Sequence, residues 1–128
     1  MTQRSYQVLL VSRDLEMLDV LSAAFGNDPV ALRIHKNGEE ALLSHHHHPA
    51  DVIIVDLSSP AAEGMELLRQ FADFPPQPPA LVLALTESGD VSTQLQAYDL
   101  GVLDCLTKPL TAEISRAQLW SWLRSGRK

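Results

Sequence analysis

Asp56 closes the apolar run Val52-Ile53-Ile54-Val55, Thr86 closes Leu81 to Leu85, and Lys108 follows Asp104 to Thr107. A carboxylate can act as a nucleophile, a hydroxyl can donate a hydrogen bond, and an ammonium is a compact point charge. Any one of these at a strand end reads as a solvated polar residue. All three become a site if the fold brings their strand ends to one edge. A further run, Val8-Leu9-Leu10-Val11, ends in Ser12-Arg13-Asp14 and adds a second carboxylate and a guanidinium. No glycine-rich phosphate loop and no nucleophile–base pair is visible, so the residues do not point to an enzyme.

The elements that must position these groups alternate along the chain. Val8–Val11 reads as a strand buried on both faces. Asp14 then caps a helix striped by Leu18, Leu21 and Phe25, which the turn Gly26-Asn27-Asp28-Pro29 ends. Val30–His35 is a second strand. Asn37, with Glu40 three residues on, opens a helix that runs to the histidine cluster before Pro49. Val52–Val55 is β-branched throughout and reads as a strand. A third helix follows Gly64 with Leu67, Leu68 and Phe71 on one side, and Pro75–Pro79 is a stiff connector. Leu81–Leu85 is the fourth strand. Val91, Leu95 and Tyr98 stripe a fourth helix that Gly101 ends in the left-handed conformation. Asp104–Thr107 is a short fifth strand. Thr111 caps the last helix, with Ile114, Ala117, Leu119, Trp120 and Leu123 along it and Gly126 beyond.

Five strand–helix units imply an α/β fold with a parallel sheet between two helix layers. Right-handed crossovers leave few topologies, and the flavodoxin-like (βα)5 order 2-1-3-4-5 is the expected one. Such sheets bind ligands beyond the carboxyl ends of the strands, near the switch between strands one and three. That rule gathers Asp56, Thr86, Lys108 and Ser12-Arg13-Asp14 in one crevice.

At 128 residues the chain reads as a single domain over 1–128, with 125–128 the candidate stub of a linker. It is 45% hydrophobic and 20% charged with a formal charge of −6, ordinary for a soluble globular protein. Without a clustered basic surface, direct nucleic-acid binding is not expected. The apolar stretch near the N-terminus is too short for a signal-peptide core or a membrane span, and the one cysteine, Cys105, forms no internal disulfide. A cytoplasmic location is the default expectation.

Val52 to Pro60, followed by Gly64, resembles the phosphorylation-site segment of response-regulator receiver domains. Leu85-Thr86 is similar to the segment with the family's switch hydroxyl, Leu106-Thr107-Lys108-Pro109 to its Lys-Pro segment, and Asn37 to Leu42 to the opening of its second helix. The resemblance implies that Asp56 accepts a phosphoryl group from a histidine kinase or phosphotransfer protein. It also implies that Lys108 pairs with a phosphoryl oxygen, that Thr86 turns inward to another, and that Lys108–Pro109 is cis. Ser58 and Pro109 join the pocket. Signalling through an output domain or partner protein follows from the same resemblance, and Tyr98 on helix four with Trp122 on helix five offers a partner or homodimer face, where aromatics are enriched.

The sequence departs from the family in two places. Family members end strand one with two acidic residues that hold Mg2+; here Ser12 and Arg13 stand there. Magnesium takes hard oxygen ligands, so Asp56 and Asp14 are the only candidate carboxylates and Mg2+ binding is expected to be impaired or lost. Capping competes for Asp14, and the Arg13 guanidinium could pair with Asp56 in place of the ion or point to solvent. A phosphorylation-independent pseudo-receiver, working as a protein-interaction module, is therefore the alternative function. The second departure is Cys105, where the family often has an aromatic switch residue; Tyr98, Cys105 and Trp122 then mark the switch face. Of the paired tryptophans, Trp120 reads as core and Trp122 as the better surface candidate. His45-His46-His47-His48 reads as a solvated helix end rather than a metal site.

Overall fold

The computed structural model describes residues 5–58 and 61–125. In chain order it has β1 (Tyr6–Val11), α1 (Leu15–Phe25), β2 (Val30–His35), α2 (Gly38–His47), β3 (Val52–Asp56), α3 (Ala61–Asp73), β4 (Leu81–Glu87), α4 (Val91–Asp99), β5 (Cys105–Lys108) and α5 (Ala112–Ser125). All strand pairs are parallel, and the sheet runs β2-β1-β3-β4-β5 as the alternation predicts. Ser59-Pro60, Gly126 and the rest of the expected linker stub beyond Ser125 lie outside the described residues.

Side chains alternate across the pleat, so each central strand serves two cores. Val8, Leu10, Val52, Ile54, Leu83, Leu85 and Leu106 face Met17, Leu21 and Phe25 of α1 and Leu119 and Leu123 of α5. Leu9, Val11, Ile53, Val55 and Ala84 face Ala41 of α2, Leu67, Leu68 and Phe71 of α3, and Ala97 of α4. Burial of β3 along its whole length explains its unbroken β-branched run.

Helix starts follow the capping residues. Asp14 accepts from the Glu16 amide at 3.0 Å, Asn37 from Glu40 at 2.9 Å, and Asp90 from Thr93 at 3.1 Å. Gly101 follows α4 at φ +99°, the left-handed turn expected there. α5 begins directly after Thr111.

Several faces differ from the periodicity reading. Val91, Leu95 and Tyr98 of α4 are exposed, and this helix buries Ala97 instead. In α5, Ile114 and Ala117 are exposed, while Ser115, Leu119 and Leu123 point inward. Gly64 does not precede α3 but lies within it, and a Cβ there would fall 2.6 Å from the Asp56 carbonyl oxygen. The helix therefore packs closer to the end of β3 than any side chain would allow.

The histidine cluster also divides. His46, His47 and His48 are exposed, but His45 is only 1% exposed. Its Nδ1 accepts from the Ala50 amide at 2.9 Å and its Nε2 faces the Pro78 carbonyl at 2.5 Å. One ring thus ties the end of α2 to the proline connector before β4, at the sheet end away from Asp56. His45→Ala is expected to lower the unfolding free energy by about 2 kcal/mol, because the Ala50 N–H is left buried without an acceptor. Urea denaturation measures this, and an unchanged midpoint would contradict it.

Candidate functional site

β3 delivers Asp56 to the carboxyl edge with its side chain 2% exposed. Both of its oxygens are engaged. Oδ1 accepts from the Ser58 amide at 2.9 Å and the Ser58 hydroxyl at 2.6 Å. Oδ2 accepts from the Ser12 hydroxyl at 2.6 Å and from Lys108 Nζ at 3.2 Å. Ser12 Oγ in turn accepts from the Asp14 amide at 2.9 Å, which fixes the hydroxyl at the end of β1.

Lys108, 11% exposed at its side chain, reaches across the edge from β5. Its ammonium touches Asp14 Oδ2 at 3.0 Å, Asp56 Oδ2 at 3.2 Å and Ser58 Oγ at 2.6 Å. Burial pushes the Lys108 pKa down, but Asp14 and Asp56 outweigh it and the ammonium is held above its ordinary range. The hydrogen bond from Lys108 holds the Asp14 carboxyl below its ordinary value, against a smaller opposing effect of burial. Asp14 thus caps α1 with one oxygen and pairs with Lys108 through the other. Capping and facing the pocket do not exclude each other here.

Thr86 is fully buried in β4, and its Oγ1 has no hydrogen-bond partner among the described residues. Arg13 does not pair with Asp56. Its guanidinium meets Glu63 of α3 at 3.1 Å, both side chains 53% exposed. Arg13 and Glu63 line a cleft of about 30 Å³ with Ser12, Lys36, Asn37 and Asp56, space for about one water. Pro109 is exposed, and the Lys108–Pro109 peptide is cis.

The expected switch-face residues gather around Asp104. Its Oδ1 accepts from the Tyr98 hydroxyl at 3.0 Å and the Cys105 amide at 2.8 Å, and its Oδ2 from Trp122 Nε1 at 3.4 Å. Burial and the hydrogen bond to Asp104 push the Tyr98 pKa up to about 12. Burial raises the Cys105 thiol as well, which disfavours the reactive thiolate. Trp122 is half-buried against the core, not a free surface residue. Trp120 packs edge-on to Tyr6 and Phe25 and donates to Asp28 at 2.9 Å; Asp28 also holds Arg116.

Sequence reasoning missed Glu63, Lys36 and Asp104, and it placed Gly64 before α3 rather than inside it. No local pattern marks the Arg13–Glu63 pair, whose members are brought together only by the pairing of β1 with β3 and the docking of α3. The close approach at Gly64 had a signal, a glycine inside an otherwise helical stretch eight residues after Asp56.

The chain is a doubly wound α/β protein with a buried carboxylate and an ammonium at the carboxyl edge of its sheet, where such folds bind ligands. Residues 8–119 match the response regulator receiver domain family, and the chain belongs to that family. It is 32% identical over 107 residues to protein-glutamate methylesterase/protein-glutamine glutaminase 1 of Oleidesulfovibrio alaskensis, covering 82% of this chain and 29% of that protein. It is 25% identical over 105 residues to the transcriptional regulatory protein ResD of Bacillus subtilis, covering 82% and 42%. A response regulator from Thermotoga maritima superposes with a TM-score of 0.81 at 18% identity, covering 94% and 98%. The chain spans less than a third of the methylesterase and less than half of ResD. Among the described residues no helix is long and apolar enough to cross a membrane.

Proposed function

We propose that this receiver domain is a phosphoryl-accepting switch in two-component signalling, with Asp56 as phosphoacceptor. The observation that carries the reading is the Asp56–Lys108 contact at 3.2 Å between two strand ends, beside a buried Thr86 hydroxyl with no partner. An oxygen of Asp56 would bond to phosphorus as the phosphorus–nitrogen bond of a phosphohistidine breaks, its electron pair returning to the imidazole. Lys108 would hold a phosphoryl oxygen, and Thr86 would donate to another. The donor is a histidine kinase or phosphotransfer protein.

Magnesium, which receiver domains generally bind, does not fit the groups present. Asp14 and Asp56 share one ammonium, the third carboxylate of the cleft, Glu63, is paired with Arg13, and the side chains at the end of β1 are a hydroxyl and a guanidinium. Among the described residues no group of three or more His, Cys, Asp or Glu side chains could hold a metal ion. We read the domain as working with magnesium binding impaired or lost, because the end of β1 carries a hydroxyl and a guanidinium where the ion would need carboxylates.

The relatives named as methylesterases are enzymes of which this domain matches less than a third, and we read the receiver domain itself as a regulatory unit. An output domain or partner would read the switch. The exposed Val91, Leu95, Tyr98 and Ile114 support a homodimer or partner contact through α4 and α5, where apolar and aromatic side chains gain most by being covered.

Intact-mass analysis after incubation with acetyl phosphate tests the proposal. A single phosphoryl adduct is expected on the wild type and none on Asp56→Asn. An unmodified wild type would leave a phosphorylation-independent interaction module, and an adduct that survives Asp56→Asn would move the phosphoryl group to another residue; either removes Asp56 from the role.

A further inference from the structure

The charge balance at Asp56 is short by one cation. Asp14 and Asp56 share the single ammonium of Lys108, which is also bound to Ser58. A phosphoryl group on Asp56 would bring roughly 1.5 to 2 further negative charges into this edge. A divalent ion does not fit the donors, so the added charge must be met by the chain's own side chains.

Arg13 and Lys36 are the cations that line the cleft beside Asp56. Arg13 follows directly on Ser12, whose hydroxyl holds Asp56. Its planar fork matches two oxygens of a phosphoryl group at once, which an ammonium cannot do. Its present partner, Glu63, lies in the same cleft, and a half-exposed pair of this kind is cheap to break. A negative group arriving on Asp56 would repel Glu63 and attract Arg13.

We propose that Arg13 replaces the divalent ion as the cation that holds the phosphoryl group, exchanging Glu63 for it as transfer occurs. The inference rests on the reading of Asp56 as phosphoacceptor. With acetyl phosphate as donor, an Asp56 oxygen bonds to phosphorus while the phosphorus–oxygen bond to acetate breaks, the electron pair leaving on acetate. Arg13 stays protonated throughout and only changes partner. Glu63 holds it in place until the donor arrives, so the pair is a latch across the cleft.

The test is the rate of adduct formation on the full chain by intact mass, with acetyl phosphate in EDTA and again in millimolar magnesium. The wild type should react equally in both. Arg13→Gln should be slower by about a hundredfold, the low end of what losing one donor to a developing oxyanion costs. Arg13→Lys should recover part of the rate, and Glu63→Gln should react faster than the wild type because Arg13 is already released. A wild type that reacts only with magnesium would overturn the role of Arg13 and leave Asp56 as phosphoacceptor. An Arg13→Gln variant as fast as the wild type in EDTA would do the same. No adduct on the wild type in either buffer would refute the Asp56 reading, and the role of Arg13 with it.

Discussion

Gly64→Ala is expected to destabilise the domain by about 3 kcal/mol and to abolish reaction at Asp56, the upper end of the usual overpacking range. The added Cβ would stand 2.6 Å from the Asp56 carbonyl oxygen and 2.8 Å from Leu57 Cδ2. Of these, the leucine methyl can turn aside but the carbonyl cannot. That oxygen belongs to the last residue of β3, whose backbone is fixed by pairing with β4, including Leu57 N–H to the Leu85 carbonyl at 2.8 Å. α3 must therefore tilt away from the sheet, carrying Leu67, Leu68 and Phe71 out of their core. Alanine is a better helix former than glycine by about 1 kcal/mol, so an exposed glycine would give the opposite sign. A urea midpoint equal to or above that of the wild type would show that α3 does not need this approach.

Lys108→Met should cost about 3 kcal/mol, the lower end for breaking a buried ion pair. Methionine keeps most of the apolar stem, so the loss reports the ammonium rather than the packing. Without it Asp56 keeps its serine donors but faces Asp14 with no positive charge between them. The charge argument predicts a recovery in the double variant. Adding Asp56→Asn should restore at least about 1 kcal/mol, because a neutral amide no longer repels Asp14. Denaturation of the four proteins in the cycle measures this coupling. A double variant that is less stable than Lys108→Met would mean the ammonium stabilises the edge through contacts other than Asp56.

Most of the scaffold was readable because burial on both faces of a parallel sheet writes long apolar runs. β1 and β3 carry such runs, and capping chemistry at Asp14 and Asn37 set the first helix starts. The site was readable for a related reason: in this topology Asp56, Thr86 and Lys108 must share one edge once their strands are aligned. What failed was the assignment of helix faces. α4 carries one apolar stripe of large residues, Val91, Leu95 and Tyr98, and buries the small Ala97 instead. Hydrophobic periodicity weights size and cannot distinguish a face that packs on this sheet from one left for something else. His45 failed for a different reason. Four like residues in a row look alike, and only the return of the proline connector makes one of them a buried clamp. Arg13 was legible as a departure but not as a partner of Glu63, since that pairing depends on where α3 docks.

The unpartnered Thr86 hydroxyl has a thermodynamic meaning for the resting protein. A buried hydroxyl that forgoes its hydrogen bond leaves the unmodified state above the lowest free energy that its own groups could reach, by about 1 kcal/mol or more. An acceptor arriving at the neighbouring strand end would recover that amount without any new side chain being recruited. A ligand shifts a conformational equilibrium only by its difference in affinity for the two states. If Asp56 takes the phosphoryl group as proposed, the Thr86 hydroxyl would contribute part of that difference from β4.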